Sequence, residues 1–249
     1  MPIIKYTPWG LICSGLAVLA LAAPTGEVLA GAAVAPPREF NARYDARVLI
    51  VSGSVTWRLK EFGNGESEFE ANVQAGGMWK AFFPGTLDEL SRFRLEDGRP
   101  RTIEYRSHNG FGSHDRDGQY KVDWATRQVT GRYRNKDVSL PFEDGTVDRA
   151  LMQLVLMYDL ARDARPKDYT VLDRDKISRL ALSYGPQQSL RVPAGRFDTI
   201  LVTHKSDDGE DETRLWCAPA LRFLPVQIEQ YRKGSRQFLA RLAEVNGLR

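Results

Sequence analysis

From Phe40 onward the chain alternates apolar and polar residues with a period of two. Phe40, Ala42, Tyr44, Ala46 and Val48 interleave with Glu39, Asn41, Arg43, Asp45 and Arg47. Only an extended chain sends successive side chains to opposite faces, so this spacing predicts a strand with one wet side. Further stretches read the same way: 54–61, 67–74, 77–83, 91–95, 101–107, 119–124 and 128–134, then 179–184, 189–192, 196–205, 212–217, 226–231 and 236–245. Turn formers punctuate them, among them Gly63-Asn64-Gly65, Gly76-Gly77, Glu96-Asp97-Gly98, Asp117-Gly118, Pro193-Ala194-Gly195, Asp208-Gly209 and Lys233-Gly234. Many short strands at regular spacing predict antiparallel meanders.

One segment departs from this rhythm. Asp144-Gly145-Thr146 can cap a helix running to about Ala161, with Val147, Leu151, Leu154, Val155 and Tyr158 at helical spacing. Met152, Leu156, Met157 and Leu160 make it apolar on nearly every side, which predicts burial, and Arg165-Pro166 ends it. The expected fold is therefore mainly β: an antiparallel curved sheet or half-open barrel, with one buried apolar helix packed on its concave face. Residues 38–249 are expected to form a single β-rich domain, since all-β units often reach this size.

The N-terminus has the parts of a secretory signal. Lys5 supplies positive charge, no acidic residue precedes Glu27, and Leu11–Ala23 is a run of apolar and small residues too short to span a bilayer. Val28-Leu29-Ala30 offers a cleavage site and Ala33-Val34-Ala35 a second, which Pro36 disfavours. Residues 1–30 are thus expected to be a cleavable signal peptide and 31–37 a flexible leader, giving a periplasmic protein without a transmembrane span in its mature form. Removal of the signal would leave Cys217 as the one cysteine, so the fold must rest on an ordinary core. The net charge of +3 comes from 35 basic and 32 acidic residues that are interleaved, as in RTIEYR, which argues against a nucleic-acid partner. No phosphate loop, G-x-S-x-G elbow, H-E-x-x-H or paired C-x-x-C occurs, and no cofactor is expected.

Three stretches of the C-terminal third, Leu190-Arg191-Val192-Pro193-Ala194-Gly195-Arg196-Phe197-Asp198-Thr199, Trp216-Cys217-Ala218-Pro219 and Phe223-Leu224-Pro225-Val226-Gln227-Ile228-Glu229-Gln230, resemble the family known as domain of unknown function 3108. Ser91-Arg92-Phe93, Gly98-Arg99-Pro100, Tyr105 and the apolar helix are compatible with it. The resemblance implies an exported bacterial envelope protein with a β-rich fold, and it carries no catalytic residues. Strands with an inserted apolar helix also look like the half-barrel of lipoprotein carriers, a likeness of architecture alone.

Several groupings could carry chemistry. Cys217 and His204 fall on strands expected to be adjacent, and a thiol beside a base is the arrangement of a cysteine nucleophile; a buried, inert Cys217 is the plainer alternative. His108 and His114 flank a glycine-rich loop with Asp115 and Asp117, donors that suit a divalent metal, although the spacing fits no known metal loop. Trp79, Phe82, Tyr105 and Trp124, on a sheet closed by Met152 and Met157 of the helix, could line an apolar ligand pocket or equally fill a solid core. The leading functional expectation is a non-enzymatic binding or carrier protein for a lipid or other apolar envelope molecule. A solid-core interaction protein with an envelope partner and a Cys/His hydrolase are the alternatives.

Overall fold

A computed structural model describes residues 37–111, 117–206 and 208–248. The expected signal, both cleavage sites, residues 31–36 of the leader and His114 lie outside the described residues. The described residues are mainly β and form a single open sheet of fifteen strands. The first eight are β1 (Phe40–Val48), β2 (Val51–Glu61), β3 (Glu66–Ala75), β4 (Thr86–Glu96), β5 (Arg99–Asn109), β6 (Gly118–Asp123), β7 (Gln128–Tyr133) and β8 (Lys136–Pro141). The others are β9 (Val147–Asp148), β10 (Asp168–Asp173), β11 (Lys176–Val192), β12 (Gly195–Lys205), β13 (Asp211–Ala218), β14 (Leu224–Arg232) and β15 (Ser235–Asn246). Helix α1 (Trp79–Phe82) links β3 to β4, and α2 (Leu151–Ala161) links β9 to β10.

The chain starts at the middle of the sheet. It steps outward strand by strand from β1 to one edge at β8, reappears at the other edge as β9, and returns so that β15 pairs with β1. Every pairing is antiparallel except β9 with β10. No ladder joins β8 to β9, yet Asp148 of β9 is bonded to Ser91 on β4 and Thr102 on β5. The sheet therefore curls until its β9 edge meets strands from its opposite half.

Three hairpins turn on two residues with left-handed backbone, Asp97-Gly98, Arg134-Asn135 and Lys233-Gly234, the turn type whose twist matches paired strands. On the core side, Tyr44 and Trp57 (5.3 Å between ring centroids) and Trp57 and Phe69 (5.8 Å) knit β1, β2 and β3 together. The Tyr44 hydroxyl donates to the Pro225 carbonyl at 3.0 Å across to β14. A Tyr44→Phe variant, which keeps the ring and orphans that carbonyl, is expected to lose about 1 kcal/mol, measurable by urea denaturation.

Several expectations need correction. Residues 77–83 are not a strand: the Trp79 amide bonds to Gly76 and the Phe83 amide to Trp79, forming the single turn α1. The helix starts at Leu151 rather than directly after the expected cap at Asp144-Gly145-Thr146, because Val147-Asp148 pairs with Val171-Leu172 instead. Its residues Leu151, Leu154, Met157 and Leu160 are buried, and it touches β5 and β9. Strands β8 and β10 are additional to those expected; β8 is an edge strand carrying Lys136, Asp137 and Pro141, so it lacks a clean apolar alternation. Residues 179–184 and 189–192 belong to one long strand, β11, that continues through an irregularity between Tyr184 and Gln187.

Candidate functional site

The start of α2 organises a polar cluster on the core-facing side of the sheet. Asp148 is 1% exposed and accepts three hydrogen bonds: from Ser91 Oγ (2.6 Å), Thr102 Oγ1 (2.6 Å) and the Leu151 amide (2.8 Å). The last of these satisfies one of the amides that a helix start leaves open. Burial pushes the carboxyl up to about 6 against the opposing pull of its three donors.

Arg149, the next residue, bridges two halves of the sheet. Its Nε lies 3.3 Å from Glu89 Oε1 on β4 and its Nη1 3.2 Å from Asp173 Oδ1 on β10. Glu89 also accepts from the Tyr105 hydroxyl at 3.1 Å, and Tyr105 stacks on Tyr120 at 5.6 Å between centroids. The Tyr120 hydroxyl is buried and has no hydrogen-bond partner. Gly131 on β7 lies over Tyr120, and a Cβ there would collide with the Gln119 carbonyl and the Tyr120 backbone. Gly131→Ala is expected to cost about 2–3 kcal/mol, read as a lowered Tm.

His204 on β12 completes the cluster. Burial, reinforced by the Arg149 charge, lowers its pKa to about 4, so its ring is neutral at pH 7, and its Nε2 is buried without a partner. Although flanked by two carboxylates, the Arg149 side chain keeps 41% of its surface in contact with solvent. Water thus reaches an arginine that interior groups surround. A guanidinium with unused N–H donors, two carboxylates, a neutral imidazole and an unpartnered hydroxyl can recognise a polar group by charge and hydrogen bonds.

The expected site residues are dispersed. His204 and Cys217 do lie on neighbouring strands, but His204 faces Thr213 and Cys217 faces Ile200. Four residues along a strand is about 13 Å, beyond contact. Cys217 is fully buried and its thiol is pushed far up by burial, so the thiolate that a nucleophile needs is disfavoured. Among the expected pocket residues, Tyr105 lines the cluster, whereas Met152 and Met157 are buried in the core. Trp124 donates to the Thr102 carbonyl at 2.7 Å and packs edge-on against Phe142 at 4.9 Å. Trp79 and Phe82 sit on α1, with Phe82 72% exposed.

His108 pairs with Asp117 through Nδ1 at 2.6 Å, beside an open groove of about 430 Å³ on the other face of β4–β7. Two of the three arginines at that groove are paired with carboxylates, Arg106 with Glu104 at 2.7 Å and Arg132 with Asp137 at 3.4 Å. Among the described residues no three His, Cys, Asp or Glu side chains gather as a metal site would require.

Glu89, Arg149 and Asp173 were not singled out by the sequence. Carboxylates are abundant along the chain, and their convergence depends on how far the sheet curls. The available signal was Asp148-Arg149, a charged pair directly before a helix apolar on nearly every side.

The chain is similar to known proteins both in sequence and in structure. The family model for "Protein of unknown function (DUF3108)" matches residues 39–240. A β-barrel-like protein of domain of unknown function DUF1849 from Brucella abortus is similar in structure, with a TM-score of 0.54 and 12% identity, covering 86% of this chain and 99% of its own. A candidate exported protein with a YmcC-like fold from Bacteroides fragilis aligns at a TM-score of 0.36 and 11% identity, covering 86% and 98%. A candidate lipoprotein from Parabacteroides distasonis aligns at 0.35 and 12%, covering 85% and 97%. No curated protein matches the chain in sequence.

Proposed function

The chain belongs to the DUF3108 family, and from that premise we propose that it is a periplasmic, non-enzymatic binding or carrier protein. Its ligand is a lipid or other largely apolar envelope molecule with a polar head. In this reading α2 packs on the concave face of the curled sheet and closes one end of it. The polar head meets Arg149, beside which His204 Nε2 and the Tyr120 hydroxyl have no hydrogen-bond partner of their own. One observation carries the reading: Arg149 lies among interior groups and still keeps 41% of its side-chain surface in solvent. Its partners Glu89 and Asp173 keep only 17% and 26% of theirs, so the cation is the part of the pair most open to an incoming group.

Native mass spectrometry of the protein isolated from the cell envelope tests this. A bound mass is expected, together with displacement of a fluorescent fatty acid. Arg149→Gln should weaken that displacement by about tenfold or more, the worth of a charge-assisted hydrogen bond. A protein that is always empty and takes up no amphiphile would reject the carrier reading and leave the solid-core interaction protein in its place.

A further inference from the structure

Eight large apolar side chains are exposed among the described residues, and six of them come from two neighbouring turns. Val48, Leu49 and Ile50 form the β1–β2 turn, where Ile50 is 76% exposed. Met78, Phe82 and Phe83 surround α1, where Met78 is 75% exposed. The turns are tied into one end of the sheet: the Gly76 amide donates to the Ser52 carbonyl at 2.9 Å, and the Leu49 amide donates to Gln237 on β15 at 3.2 Å.

The composition of this end is unusual for a solvated turn. Hairpin tips normally carry Gly, Asn or Asp, because the first central position requires positive φ. Here Leu49 holds that position at φ 51°, so a bulky apolar residue is kept in a conformation that disfavours it. Strain of that kind persists where something other than stability selects the residue.

Charge identifies the partner. No acidic residue occurs from Ala46 to Lys60, from Ala71 to Leu87 or from Lys233 to Ala243. Arg47 and Lys80, which flank the apolar tips, have no carboxylate partner among the described residues, whereas most arginines elsewhere on the sheet do. Trp79 lies within 6.4 Å of Phe82 and 6.3 Å of Phe83, adding the aromatic type that settles at membrane interfaces. Apolar tips flanked by two cations that lack carboxylate partners match a lipid surface bearing anionic headgroups. We propose that this end of the sheet docks on an anionic bilayer surface, with Leu49, Ile50, Phe82 and Phe83 entering the headgroup boundary and Arg47 and Lys80 meeting lipid phosphates. The surface stands independently of the ligand assigned to the Arg149 cluster.

The test is sedimentation with vesicles of phosphatidylethanolamine and phosphatidylglycerol, using the protein as its cells process it. The wild type is expected to bind, and more weakly as salt rises or phosphatidylglycerol is omitted. A double variant, Ile50→Ser with Phe82→Ser, should lower the partition coefficient by at least about tenfold, from the apolar burial it forgoes. Its thermal transition should not move, because both side chains are exposed. Phe62→Ser, at the opposite end of the sheet, should bind like the wild type, and Lys80→Glu should remove part of the dependence on phosphatidylglycerol. All proteins compared share one N-terminus, so differences report the turns. Absence of vesicle binding, equal binding by the double variant, or capture of these turns by a protein in its place would overturn the proposal.

Discussion

Replacing Asp148 with alanine is expected to destabilise the fold by about 3 kcal/mol at pH 7, and by about twice that near pH 4. Three buried donors, Ser91 Oγ, Thr102 Oγ1 and the Leu151 amide, lose their acceptor together. At about 2 kcal/mol for each orphaned donor the gross loss is about 6 kcal/mol. Part of this is returned at neutral pH, because the wild type holds an ionised carboxylate in a site that raises its pKa to about 6. Relief of that burial is worth about 3 kcal/mol at pH 7 and almost nothing near pH 4, where the wild-type group is already protonated. Against a total stability of about 5–15 kcal/mol, the variant is expected to be marginal in acid. Chemical denaturation at the two pH values checks it. A loss that is equal at both, or larger at pH 7, would show that Asp148 does not titrate as its surroundings dictate. The residue joins β9, β4, β5 and the start of α2, so its failure should loosen the helix against the sheet rather than fray an edge.

How much of this could be seen beforehand depended on whether the cause was local. Alternation in Phe40–Val48 declares a strand because one face is buried and the other is wet, and the structure keeps that pattern, with Ala42 and Tyr44 inside and Arg43 partly out. Residues 77–83 misled because aromatic residues favour strands, while the conformation was set by the Gly76 carbonyl capturing the Trp79 amide. Val147-Asp148 read as the first turn of a helix because the capping residues before it were good; pairing with β10 prevailed, and Asp148 performed the capping itself. The Arg149 cluster was hidden for a different reason. Glu89, Arg149, Asp173 and His204 are distant along the chain, and they converge only because a fifteen-strand sheet curls until its β9 edge meets β4 and β5. No periodicity encodes that closure. Register hid the separation of His204 from Cys217 in the same way: adjacency of their strands followed from the hairpin, but the partner of each residue did not.

Between pH 4.5 and 6.5 the wild type should change little in stability from its two buried titrating groups, although each taken alone is worth roughly 2 kcal/mol over that range. For His204 the folded pKa of about 4 lies below the unfolded value of 6.5, so in this window the unfolded chain binds the extra proton and acidification destabilises. For Asp148 the folded pKa of about 6 lies above the unfolded 3.8, so the folded chain binds the extra proton and acidification stabilises. The slopes have opposite sign and similar size, and each masks the other. Surface carboxylates such as Glu66 and Glu244, held below their ordinary range by Arg94 and Arg43, add their losses mainly under this window. Removing one member should expose the other. His204→Gln is expected to gain roughly 2 kcal/mol as pH falls from 6.5 to 4.5, and Asp148→Asn to lose roughly the same. A double variant should be flat again, since both titrations are gone. Urea midpoints measured at four or five pH values resolve these slopes. Parallel curves for the two single variants would show that at least one of the two groups does not titrate as its surroundings dictate.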